Sequence, residues 1–294
     1  MSDSTKGYSE LLNWVSTTGF RNLVWATDLD STLLDPQSDP NLAYTPPGLA
    51  EACRKLDKKT GGCFFIITGR DMSYVDNQAF PGDLFAASTE YHNRVRYERG
   101  GPAIDLSPVP NWSVIDADLD RLVACDQRLV LRKKPFMRSL HYKKVHEAER
   151  ATVKEQLKAT LTELLAQLNK ESGQDIKLTS GGLIFDMGPA GPDKGLALKD
   201  YVEYVNRRDG IEHLPLYFGD SPGDVPGAHM AHQLGGKFVA VVKHLNEKLD
   251  EDLEVLGATD FALKDTMECC AFFEEASCLR PSRKPRSTSK LAIG

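Results

Sequence analysis

The chain has 294 residues, 41% of them hydrophobic and 27% charged, the composition of a folded globular protein rather than a disordered one. Its 36 basic and 42 acidic side chains leave a formal charge of −6, which argues against nucleic acid or an anionic membrane as the main partner. No run of 18 apolar residues occurs, so no membrane span is expected, and "MSDSTKGYSELLNWVSTTGF" lacks the basic and apolar blocks of a secretory signal, so a cytoplasmic location is expected.

In chain order, Leu23–Asp30 (LVWATDLD) reads as the first buried parallel strand, an apolar run stopped by polar residues. Pro46–Gly62 follows as a helix, with proline near its start and glycines at its end. Cys63–Arg70 and Leu84–Ser88 are the next strands. From Tyr91 to Phe185 the rhythm changes. "NRVRYERGG" and "QRLVLRKKPFMRSLHYKKV" alternate as strands, Glu147–Asn169 is a long amphipathic helix, and "IKLTSGGLIFDMG" is one more strand. The helix Asp193–Val205 and the strands Leu214–Asp220 and Lys237–Val242 then resume the first pattern.

The expected fold is α/β: a Rossmann-like core with a parallel sheet and helices on both faces, formed by residues 1–90 and 186–279, plus an inserted α+β cap at 91–185. Residues 280–294, which include "RPSRKPRSTSK", read as a basic disordered tail. Six cysteines at 53, 63, 125, 269, 270 and 278 form no CxxC pair, and no histidines complete a zinc spacing. They read as reduced, mostly buried thiols. A monomer or small homo-oligomer is expected.

Ligands of parallel α/β sheets sit at the carboxyl ends of the strands. Here those ends carry Asp28 and Asp30, then Thr68, Gly69 and Arg70 ("TGR"), then Asp220 and Asp224 ("GDSPGD"), while Lys194 opens the helix after the insertion. Asp28 and Asp30, two residues apart, share a side of an extended chain. Together with Asp220 and Asp224 they demand a cation, because crowded carboxylates raise one another's pKa. All-oxygen ligation suits Mg²⁺, which keeps waters or substrate phosphate oxygens in its remaining positions. Thr68 can donate to a phosphate oxygen, and Lys194 can neutralise phosphate and nucleophile alike. Asp35 and Asp39 read as turn or cap residues.

"DLDST", "TGR", "DKG" and "GDSPGD" resemble, in order and setting, the four motifs of the haloacid dehalogenase (HAD) superfamily over residues 24 to 245. The resemblance implies a phosphatase working through a phospho-aspartate. Asp28 would be the nucleophile and Asp30 the general acid and then base. Mg²⁺ would be held by Asp28, the Asp30 carbonyl and Asp224, with Asp220 close by. "KPFMRSLHYKK" (Lys134–Lys144) and "FDMGPAGPDKG" (Phe185–Gly195) resemble trehalose-6-phosphate phosphatases and imply that Lys134, His141 and Asp186 face a sugar phosphate. The chain departs from that family's pattern at Arg132, Gly182, Ser221 and Val225. The resemblance makes trehalose 6-phosphate the first expected substrate, and the departures put a related phosphosugar second. The alternatives are another phosphosugar of the sucrose-phosphate or mannosyl-phosphoglycerate kind, a phosphotransferase or mutase reaction, and a non-enzymatic sugar-phosphate-binding protein.

Overall fold

A computed structural model describes residues 6–35, 45–181, 183–245 and 250–280. Eight strands build the main sheet: β1 (Leu23–Thr27), β2 (Phe64–Ile67), β3 (Ala86–Thr89), β4 (Arg94–Arg96), β5 (Ile104–Asp105), β10 (Leu214–Gly219), β11 (Lys237–Val241) and β12 (Phe261–Leu263). Four more, β6 (Val130–Lys133), β7 (Arg138–His141), β8 (Ile176–Gly181) and β9 (Ile184–Pro189), build a second sheet. The helices are α1 (Tyr8–Thr18), α2 (Leu49–Thr60), the short α3 (Met72–Tyr74), α4 (Asp116–Cys125), α5 (Glu147–Ser172), α6 (Lys194–Asp209), α7 (Val225–Gln233), α8 (Asp250–Gly257) and α9 (Thr266–Cys278). None of the described helices is long and apolar enough to cross a membrane.

The main sheet runs β12-β11-β10-β1-β2-β3-β4-β5. It is parallel from β12 to β3, and β4 and β5 add antiparallel. Alternation along β1 divides the core. Leu23 and Trp25 point into one apolar cluster with α1, α2 and α9, where Trp25 stacks on Phe218 and Phe272. Val24 and Ala26 point into the other, against α6 and α7. The same parity brings Asp28 out on the α6 side.

The second sheet, in order β6-β7-β9-β8, is antiparallel throughout. Leu140, Tyr142, Phe185 and Met187 turn to one face and pack with Leu161, Leu165 and Leu168 of α5. Alternation sends Arg132, Ser139, His141, Asp186 and Thr179 to the other face, and the register sets Arg132, Ser139, Asp186 and Thr179 in one row across the four strands.

Several expectations change in detail. Residues 94–96 and 104–105, within the range expected for the insertion, pair onto the main sheet. β9 runs to Pro189, so the second sheet ends past 185. "IKLTSGGLIFDMG" is two strands, β8 and β9, pairing with each other. The sheet is mostly, not wholly, parallel. All six cysteines are free, with Cys125 and Cys278 exposed and the others buried. Asp39, Gly182 and the tail beyond Arg280 lie outside the described residues.

Candidate active site

β1 ends at Thr27, so Asp28 and Asp30 leave the strand on the turn that follows. They are not the side-by-side strand residues expected from the i, i+2 spacing. The Asp28 N–H still donates to the Phe218 carbonyl of β10 at 2.9 Å, which holds Asp28 against the neighbouring strand end. Ser31 then takes a left-handed φ of 62° and turns the chain back. This drives Thr32 inward, where its Oγ1 donates to Asp220 Oδ1 at 3.2 Å.

Lys194 is the first residue of α6, whose start is fixed by Asp193 Oδ1 accepting the Leu196 N–H at 2.7 Å. Its buried ammonium bridges Asp28 Oδ2 at 3.1 Å and Asp224 Oδ1 at 2.7 Å. Gly195 lets α6 approach α7 closely, since a Cβ there would stand 2.6 Å from the Pro226 carbonyl oxygen. Asp224 Oδ1 also accepts from the Tyr217 hydroxyl. Asp224 Oδ2 accepts from the Asp220 and Ser221 N–H groups, both at 3.1 Å, and from Ser221 Oγ at 2.9 Å. Ser221 thus serves as an internal donor in a motif where the family pattern has a further acid.

Oxygens of Asp28, Asp220 and Asp224 lie within 4.8 Å of one another, all three residues buried. Among the described residues only Lys194 answers them with an ion pair. Burial pushes the Asp28 carboxyl up to about 7; Lys194 opposes the rise, and Asp224 and Asp30 add to it. Burial, with Asp224 and Asp28, likewise holds Asp220 well above the usual carboxylate range. Asp224 would also rise on burial, but the Lys194 ammonium and the Tyr217 and Ser221 donors hold it below. Three carboxylates against one ammonium leave unneutralised negative charge in a buried place, and oxygen-only donors are the chemistry of a hard divalent cation. The residues therefore fit Mg²⁺. Asp28 and Asp220 keep carboxylate oxygens with few other donors, whereas both oxygens of Asp224 are fully engaged.

The "TGR" residues divide their work. Arg70 clamps Asp30 with a two-pronged contact, Nε to Oδ2 at 2.7 Å and Nη2 to Oδ1 at 2.5 Å, and its guanidinium lies 4.2 Å over the Tyr74 ring. Thr68 is buried, and its Oγ1 accepts the Arg70 N–H at 3.1 Å. The Gly69 carbonyl accepts from Lys134 Nζ at 2.8 Å, so a lysine of the β6–β7 turn reaches the main domain beside Thr68. A Cβ on Gly69 would stand 3.2 Å from the Tyr91 ring, so glycine leaves that ring its place.

On the facing sheet, Lys134 Nζ also meets Ser139 Oγ at 3.0 Å, Ser139 donates to Asp186 Oδ1, and Tyr91 donates to Asp186 Oδ2 at 3.2 Å. Lys134 and Asp186 are thus brought together over the "TGR" turn. His141 lies on the same face, with Nδ1 buried and without a hydrogen-bond partner among the described residues. Burial, and then Lys143, Lys134, Arg132 and Arg70, push its pKa down to about 4, so its ring is neutral at pH 7. Tyr142 belongs to the core of the second domain, and Lys133 pairs with Asp120 at the surface.

Sequence reasoning did not find Tyr91, Glu90, Thr32 or Tyr217. Tyr217 sits inside an apolar strand and reads as core. Its signal is that a buried phenol needs a partner. Glu90, Tyr91 and His92 all have positive φ (50°, 56° and 77°). Nothing in "TEYHN" marks that run, because the residue most at ease there, glycine, is absent.

No family model matches the chain. A probable trehalose-phosphate phosphatase of Sinorhizobium fredii is 24% identical over 222 residues, covering 74% of this chain and 77% of that protein. The trehalose-6-phosphate phosphatase of Escherichia coli K12 is 24% identical over 217 residues, covering 74% and 76%. The C-terminal domain of the Candida albicans trehalose-6-phosphate phosphatase superposes with a TM-score of 0.73 at 17% identity, covering 95% of this chain and 100% of that one. The chain has the fold of the trehalose-6-phosphate phosphatases. Its second, four-stranded sheet suggests a cap domain.

Proposed function

We propose that the chain is a Mg²⁺-dependent phosphoric monoester hydrolase acting on a sugar phosphate, with trehalose 6-phosphate as the first candidate. The observation that carries this reading is the buried cluster of Asp28, Lys194, Asp220 and Asp224 at the carboxyl ends of β1 and β10. In this reading Asp28 attacks phosphorus and forms a phospho-aspartate. Lys194 neutralises charge on the nucleophile and on the transferred phosphoryl group. Thr68 and the Gly69 backbone orient phosphate oxygens.

Asp30 gives its proton to the departing sugar oxygen and then takes one from the water that opens the phospho-aspartate. Both its oxygens are held by Arg70, so the guanidinium must release one of them for each transfer. Arg70 is thereby a positioning residue for Asp30 rather than a direct contact of the sugar. Asp28, Asp220 and the Asp30 carbonyl would hold Mg²⁺, with Asp224 orienting Lys194 and the Asp220–Ser221 turn. A bound Mg²⁺ would supply charge stabilisation to the phosphate oxygens.

The cap face carrying Lys134, Ser139, His141 and Asp186 would read the sugar, with residues from about 106 to 189 forming the cap. The relatives' names and the fold support a trehalose phosphate. Arg132, on the same face, supports keeping a related phosphosugar as the second substrate. The test is phosphate release from a panel of phosphorylated sugars with Mg²⁺ and with EDTA. Trehalose 6-phosphate should exceed glucose 6-phosphate in kcat/KM, because sites that pair sugar hydroxyls reject the wrong sugar strongly. Equal rates would defeat the substrate assignment, and full activity in EDTA would remove the metal.

A further inference from the structure

A cavity of about 610 Å³ opens between the end of α1, the Phe20–Asn22 turn, the last turn of α2 and the end of α9. It lies at the amino end of β1, whereas Asp28 follows the other end of that strand, so it is not part of the site above. Its lining includes Arg21, Lys55, Lys58, Lys59 and Arg280, and no carboxylate. Among the described residues, Lys55 alone of these five pairs with a carboxylate, Glu51 at 3.8 Å. Lys59 Nζ donates to the Ala276 carbonyl at 3.2 Å and stands 4.8 Å from the centre of the Phe20 ring. Arg21, Lys58 and Arg280 have no anionic partner among the described residues. In a chain with a formal charge of −6, five cations around one carboxylate-free cavity are a local excess that like-charge repulsion disfavours.

The bland account is that lysines near a helix carboxyl end answer its last carbonyls. That covers Lys58 and Lys59. It does not cover Arg21 and Arg280, which come from other elements. The end of α2 is also capped already, with the Gly61 N–H on the Lys58 carbonyl and the Gly62 N–H on the Asp57 carbonyl. Arg21 is seated by the backbone: its Nη1 lies 2.2 Å from where a Cβ of Gly61 would be, and Gly61 has a left-handed φ of 82°. The chain that follows Arg280 adds Arg283, Lys284, Arg286 and Lys290 and no Asp or Glu. It brings more positive charge, not a counter-ion.

We propose that this cavity binds a small organic phosphate, its phosphate groups held by Arg21, Lys58 and Arg280 and its ring body against Phe20. Guanidinium groups pair phosphate oxygens two at a time, and the volume is that of an ordinary small-molecule site. The site is separate from the proposed hydrolytic centre and stands or falls without it.

The test uses the full chain and ADP, which carries a diphosphate and an aromatic ring, titrated by calorimetry in EDTA so that no divalent ion bridges it to the acidic cluster. Wild type should saturate with a Kd below about 1 mM. The double variant Arg21→Ala/Lys58→Ala should bind at least about tenfold more weakly, and Asp28→Asn should bind as wild type does. All three substituted or compared surfaces can be checked for folding by thermal unfolding. Independently, ADP should slow acetylation of Lys58 and Lys59 while sparing Lys199, an exposed lysine of α6. Equal affinity in wild type and the double variant would overturn the proposal. So would the absence of saturable binding, or equal protection at Lys199.

Discussion

Glu90→Gln is predicted to stabilise the protein by an amount that grows with pH. Glu90 is buried in the left-handed run from 90 to 92. Its Oε2 accepts the Phe136 N–H at 2.9 Å, while Oε1 has no hydrogen-bond partner among the described residues. Burial lifts its pKa from the ordinary 4.5 to about 7; the Phe136 N–H, Lys134 and Arg94 oppose the rise, and Asp71 adds to it. A carboxyl raised on folding contributes stability that is complete below its unfolded-state pKa and is lost as the pH climbs through the folded value, here between about 4.5 and about 7. At about 1.4 kcal/mol per pH unit, that interval sets a ceiling of roughly 3.5 kcal/mol. Glutamine keeps an acceptor for Phe136 and cannot ionise. The two proteins should therefore be closest at pH 5, and by pH 8 the variant should gain up to about 3 kcal/mol relative to wild type, or roughly 6–12 °C in Tm. Thermal unfolding of both proteins at pH 5, 6, 7 and 8 measures this. A gap that stays constant, or that narrows as pH rises, would refute the reasoning and show that Glu90 is already ionised in the fold.

Three further outcomes follow from the site. Asp28→Asn should abolish phosphate release from every ester while leaving the Tm unchanged or higher, since it removes the nucleophile and one of the crowded carboxylates; near-wild-type turnover would remove Asp28 from the role. Asp30→Asn should slow a sugar phosphate by about 10²–10⁴-fold and an aryl phosphate much less, because a good leaving group needs little protonation; equal losses on the two esters would count against Asp30 as the acid. Lys134→Ala and Asp186→Ala should each lower kcat/KM for the sugar phosphate and spare a small aryl phosphate, since Lys134 contacts Ser139 and reaches Gly69 of the main domain while Asp186 contacts Ser139 and Tyr91; parallel losses on both esters would mean that the cap does not read the sugar.

The parts legible in the sequence are those whose pattern is local. β1, β2, β10 and β11 are apolar runs, and each falls inside a strand expected from the sequence, while β3 overlaps its expected strand and runs one residue past it, to Thr89. The charged residues at their ends needed only the rule that ligands gather at the carboxyl edge of a parallel sheet. Asp28, Lys194, Asp220 and Asp224 do gather there. What failed was non-local. "NRVRYERGG" has the same alternation whether it pairs in a cap or on the antiparallel edge of the main sheet, and only the β3–β4 register decides it. "TSGGL" hides a reversal because its glycines read equally well inside a strand, so β8 and β9 looked like one element.

The same limit explains Arg70 and Asp186. Their positions in the motifs are visible, but their partners are not. Arg70 turns to Asp30, forty residues earlier, and Asp186 turns to Tyr91, ninety-five residues earlier. Residue type and spacing identify groups capable of chemistry. Which of them touches a substrate and which holds another in place depends on pairings between distant segments. The two-pronged Arg70–Asp30 contact is one such pairing: in the proposed reaction Arg70 sets where the acid and base can point, and Arg70→Lys, which keeps the charge but loses the fork, is expected to slow proton transfer, which a sugar phosphate should show more strongly than an aryl phosphate.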